Sequence, residues 1–338
     1  ALAVSALADI LEARGELDEA LRILREQQLP AYLRLGDICE WAATYGKVAG
    51  ILEARGELDE ALRICRDVQL PVYERLGDVR SRAVTLAKVA DILEARGELD
   101  EAMRICQEEL LPTFERLGDV RSRAITLGKV ADILVVRGEL DEAFRLYREE
   151  LPVYERLGDV QMRAVMLGKV ADILATQGKL DEALRLRREE QLPVYERLGD
   201  VRSRAMALGK VADILQAQGA LDEALCIRRE QLPVYERLGD IRSRALALGR
   251  VADILAAQGQ LDEALRIYQE ELPVLERLGD TRSLIVGRSN QAVALLYRDE
   301  NGDREEAARL LRLALAAATV MQIPEVANIR AIQFKYHL

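Results

Sequence analysis

Chemistry at neutral pH needs a group that can carry a proton or attack an electrophile, and this sequence supplies few of them. Its one histidine is His337, which excludes histidine triads and histidine metal clusters. The four cysteines, Cys39, Cys65, Cys106 and Cys226, have no metal-knuckle spacing, and without histidine none has an activating base. Cys65 and Cys106 hold the same place in successive repeats, so they should lie about 10 Å apart, too far for a disulfide. Buried free thiols in a reducing cytosol are the expectation. Gly-Lys pairs at Gly46-Lys47, Gly128-Lys129, Gly168-Lys169 and Gly209-Lys210 lack the Ser or Thr that a phosphate loop requires. Asp-Glu pairs recur in seven Leu-Asp-Glu-Ala runs. They could serve as general acid and base, but each follows a turn glycine, where a helix N-terminus favours carboxylates for its own sake. The sequence therefore reads as a non-enzyme with no cofactor and no metal.

What remains is binding chemistry. One ladder sets a cation three residues before an aspartate: Lys88 and Asp91, Lys129 and Asp132, Lys169 and Asp172, Lys210 and Asp213, Arg250 and Asp253. At that spacing the two charges pair along one helix face, each pair contributing a few tenths of a kcal/mol. Taken as a ladder, they form a candidate partner-binding surface. A second ladder, Arg82, Arg123, Arg163, Arg204 and Arg244, lies near helix starts, where arginine opposes the dipole. It reads as a basic edge for an acidic segment. Glycines inside the same helices, Gly46, Gly128, Gly168, Gly209 and Gly249, each cost about 1 kcal/mol relative to alanine, so close helix packing is expected to offset them.

The elements that position these ladders are set by two glycine series. Gly15, Gly56, Gly97, Gly138, Gly178, Gly219 and Gly259 precede the Leu-Asp-Glu-Ala runs, and Gly36, Gly77, Gly118, Gly158, Gly199, Gly239 and Gly279 sit in Leu-Gly-Asp. A glycine just beyond an apolar-periodic stretch ends a helix, and the acid that follows caps or complements the next one. Each unit is thus a pair of antiparallel helices. In the first helix of the third unit Val79, Ala83, Leu86, Val89, Ala90 and Leu93 fall on one face. In the second helix of the fourth, Leu140, Ala143, Phe144, Tyr147, Leu151, Tyr154 and Leu157 keep helical spacing straight through Pro152. The step from first to second glycine is 21 residues after Gly15, Gly56, Gly97 and Gly178 but 20 after Gly138, Gly219 and Gly259. The extra residue falls just before the proline, where a π-bulge would absorb it. The reading is a continuous kinked second helix.

These units resemble the tetratricopeptide repeat in a longer version of about forty residues. In the third unit Ala90, Gly97 and Ala102 match the family's small and turn positions, and Leu86, Val89 and Leu93 its large apolar ones. The aromatics usual at two of these places are missing, and the proline lies within the second helix. The resemblance implies an all-α solenoid of antiparallel helix pairs forming a right-handed superhelix, with the first helices lining a concave groove. The longer repeat looks most like those in sensor and scaffold regions of bacterial signal-transduction ATPases and in animal G-protein-signalling adaptors. Residues 1–280 read as seven tandem repeats of 40–41 residues, the first cut short at its N-terminus, 281–322 as a divergent eighth, and 323–338 as a C-terminal capping helix.

Composition agrees with an interaction protein. Acidic residues outnumber basic ones by 58 to 48 for a net charge of -10, with the signs interspersed, which argues against nucleic acid. No apolar run approaches the roughly twenty residues that span a bilayer, so no membrane is expected and a cytoplasmic, bacterial signalling scaffold is. The partner is a protein or peptide segment in the groove. The alternatives are a sensing region of a larger signalling ATPase and a spacer or self-assembling solenoid. A peptide's terminal carboxylate is disfavoured, because aspartates stand where the family's carboxylate trap has asparagine.

Overall fold

A computed structural model describes residues 2–338, and among them every regular element is a helix. The helices group into two compact units, Ala1–Asp159 and Val160–Leu338. The first holds α1 (Leu2–Ala13), α2 (17–35), α3 (Ile38–Ala54), α4 (58–76), α5 (Val79–Ala95), α6 (99–116), α7 (Val120–Arg137) and α8 (Leu140–Arg156). The second holds α9 (Val160–Thr176), α10 (180–198), α11 (Val201–Ala217), α12 (Leu221–Arg237), α13 (Ile241–Ala257), α14 (Leu261–Arg277), α15 (Thr281–Arg298), α16 (Asp303–Met321) and α17 (Glu325–Tyr336). Within each unit odd-numbered helices pair with the even-numbered helix that follows, so each unit is a stack of helical hairpins.

The turns work as their residues dictate. Gly56 takes φ 79° and Gly77 φ 66°, left-handed conformations that cost glycine nothing. Beyond Gly56, the Glu57 amide donates to the Leu52 carbonyl at 2.8 Å, satisfying an otherwise orphaned end of α3. After the second glycine, Asp78 accepts from the Ser81 amide at 2.9 Å and caps α5. That bond holds its carboxyl below the usual range. Asp240 does the same for α13, and it also takes Arg202 from the preceding repeat at 2.6 Å. The arginine of Glu-Arg-Leu-Gly stays local, Arg75 donating to the Pro71 carbonyl at 3.1 Å. The Asp of Leu-Asp-Glu-Ala ties repeats together, Asp59 taking Arg96 at 2.6 Å and Asp181 taking Gln218 at 2.7 Å.

Repeat length decides the course of the even helices. Where the glycine step is 21, one widened π-helical segment precedes the proline: Leu24–Gln28 in α2, Ile64–Gln69 in α4, Ile105–Leu110 in α6 and Leu186–Gln191 in α10. Where the step is 20, the helix runs as unbroken α through Pro152, Pro233 or Pro273. A π turn carries the one additional residue, so Tyr73 and Tyr154 reach the core alike on either side of the length difference.

The core is aliphatic and alanine-rich, with Ala90, Ala102, Ile92 and Leu93 all buried. Two positions depart from the sequence expectation. Val79, at the first turn of α5, is 49% exposed, and Leu157 at the end of α8 is 44% exposed. Both belong to the turn between hairpins, where the apolar stripe overruns the packed part of the helix. Thr85 and Ile92, off the expected face of α5, are buried, because a first helix packs against its own partner and against the next repeat. Of the cysteines, Cys65 and Cys106 are buried and free, but Cys39 and Cys226 are exposed. Burial raises the thiols of Cys65 and Cys106 to about 11, so neither is a nucleophile.

Candidate functional site

The ladder cations and aspartates stand in register on the odd helices, but they pair differently from the expected three-residue spacing. Among the described residues only Arg250 and Asp253 pair within one helix in this way, at 3.4 Å. Lys129 bonds to Asp91 of the preceding repeat, Lys210 lies 3.7 Å from Asp172 of the preceding repeat, and Lys47 reaches Asp9 at 2.5 Å. Lys88 donates to the Gly46 carbonyl at 3.2 Å. Neighbouring first helices lie side by side, so the cation of one faces the aspartate of the one before. The ladder therefore stitches repeats together instead of decorating each helix.

The aspartates are also held from below by a residue of the even helix fifteen positions on, which sequence reasoning missed. Arg187 binds Asp172 at 2.6 Å, Arg228 binds Asp213, Tyr147 donates to Asp132, and Tyr268 donates to Asp253 at 2.6 Å. Asn290 of α15 adds a further bond to Asp253 at 2.8 Å. In α4 and α6 the same place holds the apolar Cys65 and Cys106. The signal was present in the sequence: a column that is Cys, Cys, Tyr, Arg, Arg, Tyr along an otherwise apolar stripe.

A second missed column explains the mid-helix glycines. Just before six of the seven Leu-Pro pairs stands a buried polar residue: Gln28, Gln69, Glu150, Gln191, Gln231 or Glu271. Its head group fills the space a Cβ would need, the Gln69 amide nitrogen lying 2.7 Å from such an atom at Gly46 and the Glu271 oxygen 2.5 Å from one at Gly249. Gln69 donates to the Ala42 carbonyl at 3.1 Å and Gln191 to Ala164 at 3.0 Å, with Gln231 on Ala205 likewise. The glycines are thus offset by close packing, as expected, but against a hydrogen-bonding side chain rather than an apolar one. In the third repeat, where the column carries Leu110, the glycine place carries Ala87.

Glu271 is the exception within the second unit. It is 3% exposed, and its Oε2 has no hydrogen-bond partner. Burial, reinforced by Asp253 and only partly opposed by Arg250, raises its carboxyl to about 8, so it is mostly protonated at neutral pH.

These residues line two adjoining cavities in the second unit. One, of about 440 Å³, lies among Lys169, Arg187, Met206, Lys210 and Tyr195. The other, of about 400 Å³, lies among Arg250, Asp253, Tyr268, Glu271 and Asn290. Asp213, Arg228 and Tyr235 line both, so the two form one groove. The Arg82 ladder takes a different part: Arg82 pairs with Glu109 at 2.9 Å, Arg163 with Glu190 at 3.3 Å and Arg244 with Glu270 at 3.5 Å, while Arg123 is half-buried and Arg204 exposed. Partnership with an acid of the second helix accounts for arginine at an unfavourable helix end. Among the described residues no cluster of His, Cys, Asp and Glu has the makings of a metal site, and no helix is long and apolar enough to cross a membrane.

Stacked hairpins with left-handed glycine turns, small residues at the helix crossings and a polar face on the first helices define an α-solenoid. Family models described as the tetratricopeptide repeat match residues 243–319 and 1–26, and the intervening hairpins repeat the same sequence. Those two segments match the tetratricopeptide repeat, and the fold of the chain is the all-α helical-repeat fold of such proteins. Among solved structures, a Signal Transduction ATPase with Numerous Domains with a tetratricopeptide repeat sensor, from Pyrococcus horikoshii, superposes with a TM-score of 0.68 at 16% identity over 96% of this chain. That match covers 50% of the ATPase, so the chain spans half of its length. BtubC from P. vanneervenii gives 0.57 at 18% identity, covering 66% of this chain and 92% of that one. A Rap protein complexed with Competence and Sporulation Factor gives 0.57 at 14% identity, covering 99% and 96%. At these identities the likeness is one of fold. No curated protein sequence matches the chain.

Proposed function

We propose that the chain is a protein-interaction module, without catalytic activity of its own, that holds a segment of another protein against the polar face of its first helices. The observation that carries this reading is the groove of the second unit, where two adjoining cavities of about 440 and 400 Å³ are floored by buried charges and edged by exposed ones. An extended segment makes similar contacts at each successive repeat, which suits repeats this alike. The Rap protein, seen with Competence and Sporulation Factor, supports the idea that this architecture accommodates a partner. We place the module in the cytoplasm, and divide it as seven repeats over 1–280, an eighth over 281–322 and a cap over 323–338. Burial of Ile329 of α17 against the second unit's core supports the cap.

The test is affinity capture with the whole chain as bait. Met206→Trp fills the larger cavity from a position that is 58% exposed in the free protein, and Lys210→Glu reverses a charge at its edge. A partner that peptide mapping and cross-linking place on α11, and that both variants lose, is the expected outcome. A partner retained by both variants would remove the groove from consideration. Lys129 is a poor probe, because it is mostly buried against Asp91 and its loss would perturb the stack.

A second reading, a sensing region of a signalling ATPase, draws on the Pyrococcus horikoshii match, in which this chain aligns with half of a larger protein. A nucleotide-binding domain encoded in the same reading frame would favour it.

A further inference from the structure

Resting on the groove reading above, we infer that the segment the second unit accepts is acidic, with apolar side chains between its carboxylates. Read from the sequence, the ladder looks neutral, one cation and one aspartate per repeat. The structure adds a third charge. Arg187 and Arg228 rise from the even helices beneath the ladder, are 3% and 8% exposed, and neutralise Asp172 and Asp213 from below. Lys210 is then in excess and more than half exposed, and Arg250, equally exposed, shares Asp253 with the neutral Tyr268 and Asn290.

The charged floor beneath the aspartates is confined to this groove. In the first unit the places beneath Gly50 and Asp91 hold Cys65 and Cys106, which bring no charge, so Lys129 meets Asp91 one for one and Lys88, opposite Gly50, donates to the Gly46 carbonyl. Around the two cavities of the second unit, besides Lys169 and Arg282, which are engaged elsewhere, the latter with Glu325 at 3.2 Å, stand Arg187, Lys210, Arg228 and Arg250. Against them stand Asp172, Asp213, Asp253 and Glu271, the last held neutral by its burial. A cationic groove on a chain of net charge -10 is a local feature that the whole composition conceals. Like-charged partners are turned away by the rest of the surface and drawn in only there.

The apolar half of the requirement comes from the lining. Val165 and Met206 flank the larger cavity and Leu246 and Val286 the smaller, so each cavity admits an aliphatic side chain while the carboxylates on either side meet Lys210 and Arg250. The occupant is therefore a peptide segment that alternates acidic and aliphatic residues, not a polyanion.

The probe is a fluorescein-labelled peptide alternating Glu and Leu, compared by anisotropy with counterparts carrying Gln or Lys in place of Glu, on the full chain at low ionic strength. The acidic peptide is expected to bind, to weaken with salt, and to bind at least about tenfold more tightly than the Gln peptide. Lys210→Glu and Arg250→Glu should each weaken it by about tenfold, and Lys88→Glu, at the same rung in the first unit, should leave it unchanged. Equal binding of the Glu and Gln peptides, a loss with Lys88→Glu matching that with Lys210→Glu, or no binding of the acidic peptide would each overturn the inference. Met206→Trp separates the two levels. If it abolishes binding of Glu and Gln peptides that bind equally, the groove stands and the acidic preference falls; if it changes nothing, the groove itself is wrong.

Discussion

Glu271→Gln should make the protein more stable as pH rises, although it removes a potential charge from an acidic chain. Glu271 occupies the place that Gln191 and Gln231 hold in the two preceding repeats, 3% exposed, with its Oε2 unpartnered and the Gly249 backbone against it. Its carboxyl is raised from an ordinary value near 4.5 to about 8, first by burial and then by Asp253. The sign follows from proton counting. Between about pH 4.5 and 8 the folded state keeps the proton and the unfolded state has lost it, so stability is fully present below the lower value and declines until the upper one. The limiting slope is about 1.4 kcal/mol per pH unit, or roughly 4 kcal/mol between pH 5 and pH 8. Relaxation and water entry around the ionised carboxylate would reduce this to about half. Glutamine carries no such penalty, and its amide can reach the Ala245 carbonyl as Gln231 reaches Ala205. Urea unfolding of both proteins by circular dichroism from pH 5 to 9, with hydrogen exchange on α13 and α14 to localise the effect, measures the difference. Parallel stability curves would refute the assignment of a neutral buried carboxyl.

Gly209→Ala should destabilise despite the better helix propensity of alanine, because the new Cβ would lie 2.8 Å from both the Arg228 and the Gln231 nitrogens. Overpacking of about 1–3 kcal/mol exceeds the roughly 1 kcal/mol propensity gain, and a thermal melt decides the sign. Deleting Val68 from the π segment of α4 should leave a folded protein, since the repeat then has the length that runs as unbroken α in α8. Deleting Glu149 from α8 should not, because an α-helix has no spare residue and everything beyond turns by about 100°, carrying Tyr154 out of the core. Comparison of helicity and melting cooperativity for the two deletions distinguishes them.

The backbone plan was legible because its causes are local. Glycine before Leu-Asp-Glu-Ala and within Leu-Gly-Asp can be read as turns without knowing what packs on them, and the one-residue difference before Pro71 and Pro152 points to the widened turn from counting alone. The site was less legible because its causes lie between elements. Lys129 and Asp132 are three residues apart, and the helical period suggests that they pair. The structure instead puts Lys129 on Asp91, a choice made by the stacking of repeats. Val79 and Leu157 continue an apolar stripe past the end of the packing, which periodicity cannot see.

The buried polar columns were hidden for a more specific reason. Glu150 and Glu271 stand among Arg, Glu and Gln on helices whose opposite face is apolar, so each reads as one more solvated charge. What buries them is the absence of a side chain on the preceding helix. The cost of glycine inside a helix was thus the visible half of a pair: glycine opposes Gln or Glu at Gly46 and Gln69, Gly128 and Glu150, and Gly249 and Glu271, while Ala87 opposes Leu110. A helix-breaking residue retained at one register of a repeat indicates what its neighbour must insert there. Extended to the column beneath the aspartates, the same reasoning marks where the groove changes character, since Cys65 and Cys106 give way to Arg187 and Arg228 where the cavities open. Near-identical repeats become unlike at just these internal positions, so the second unit acquires a cationic floor while the surface ladder keeps its one-cation, one-acid pattern.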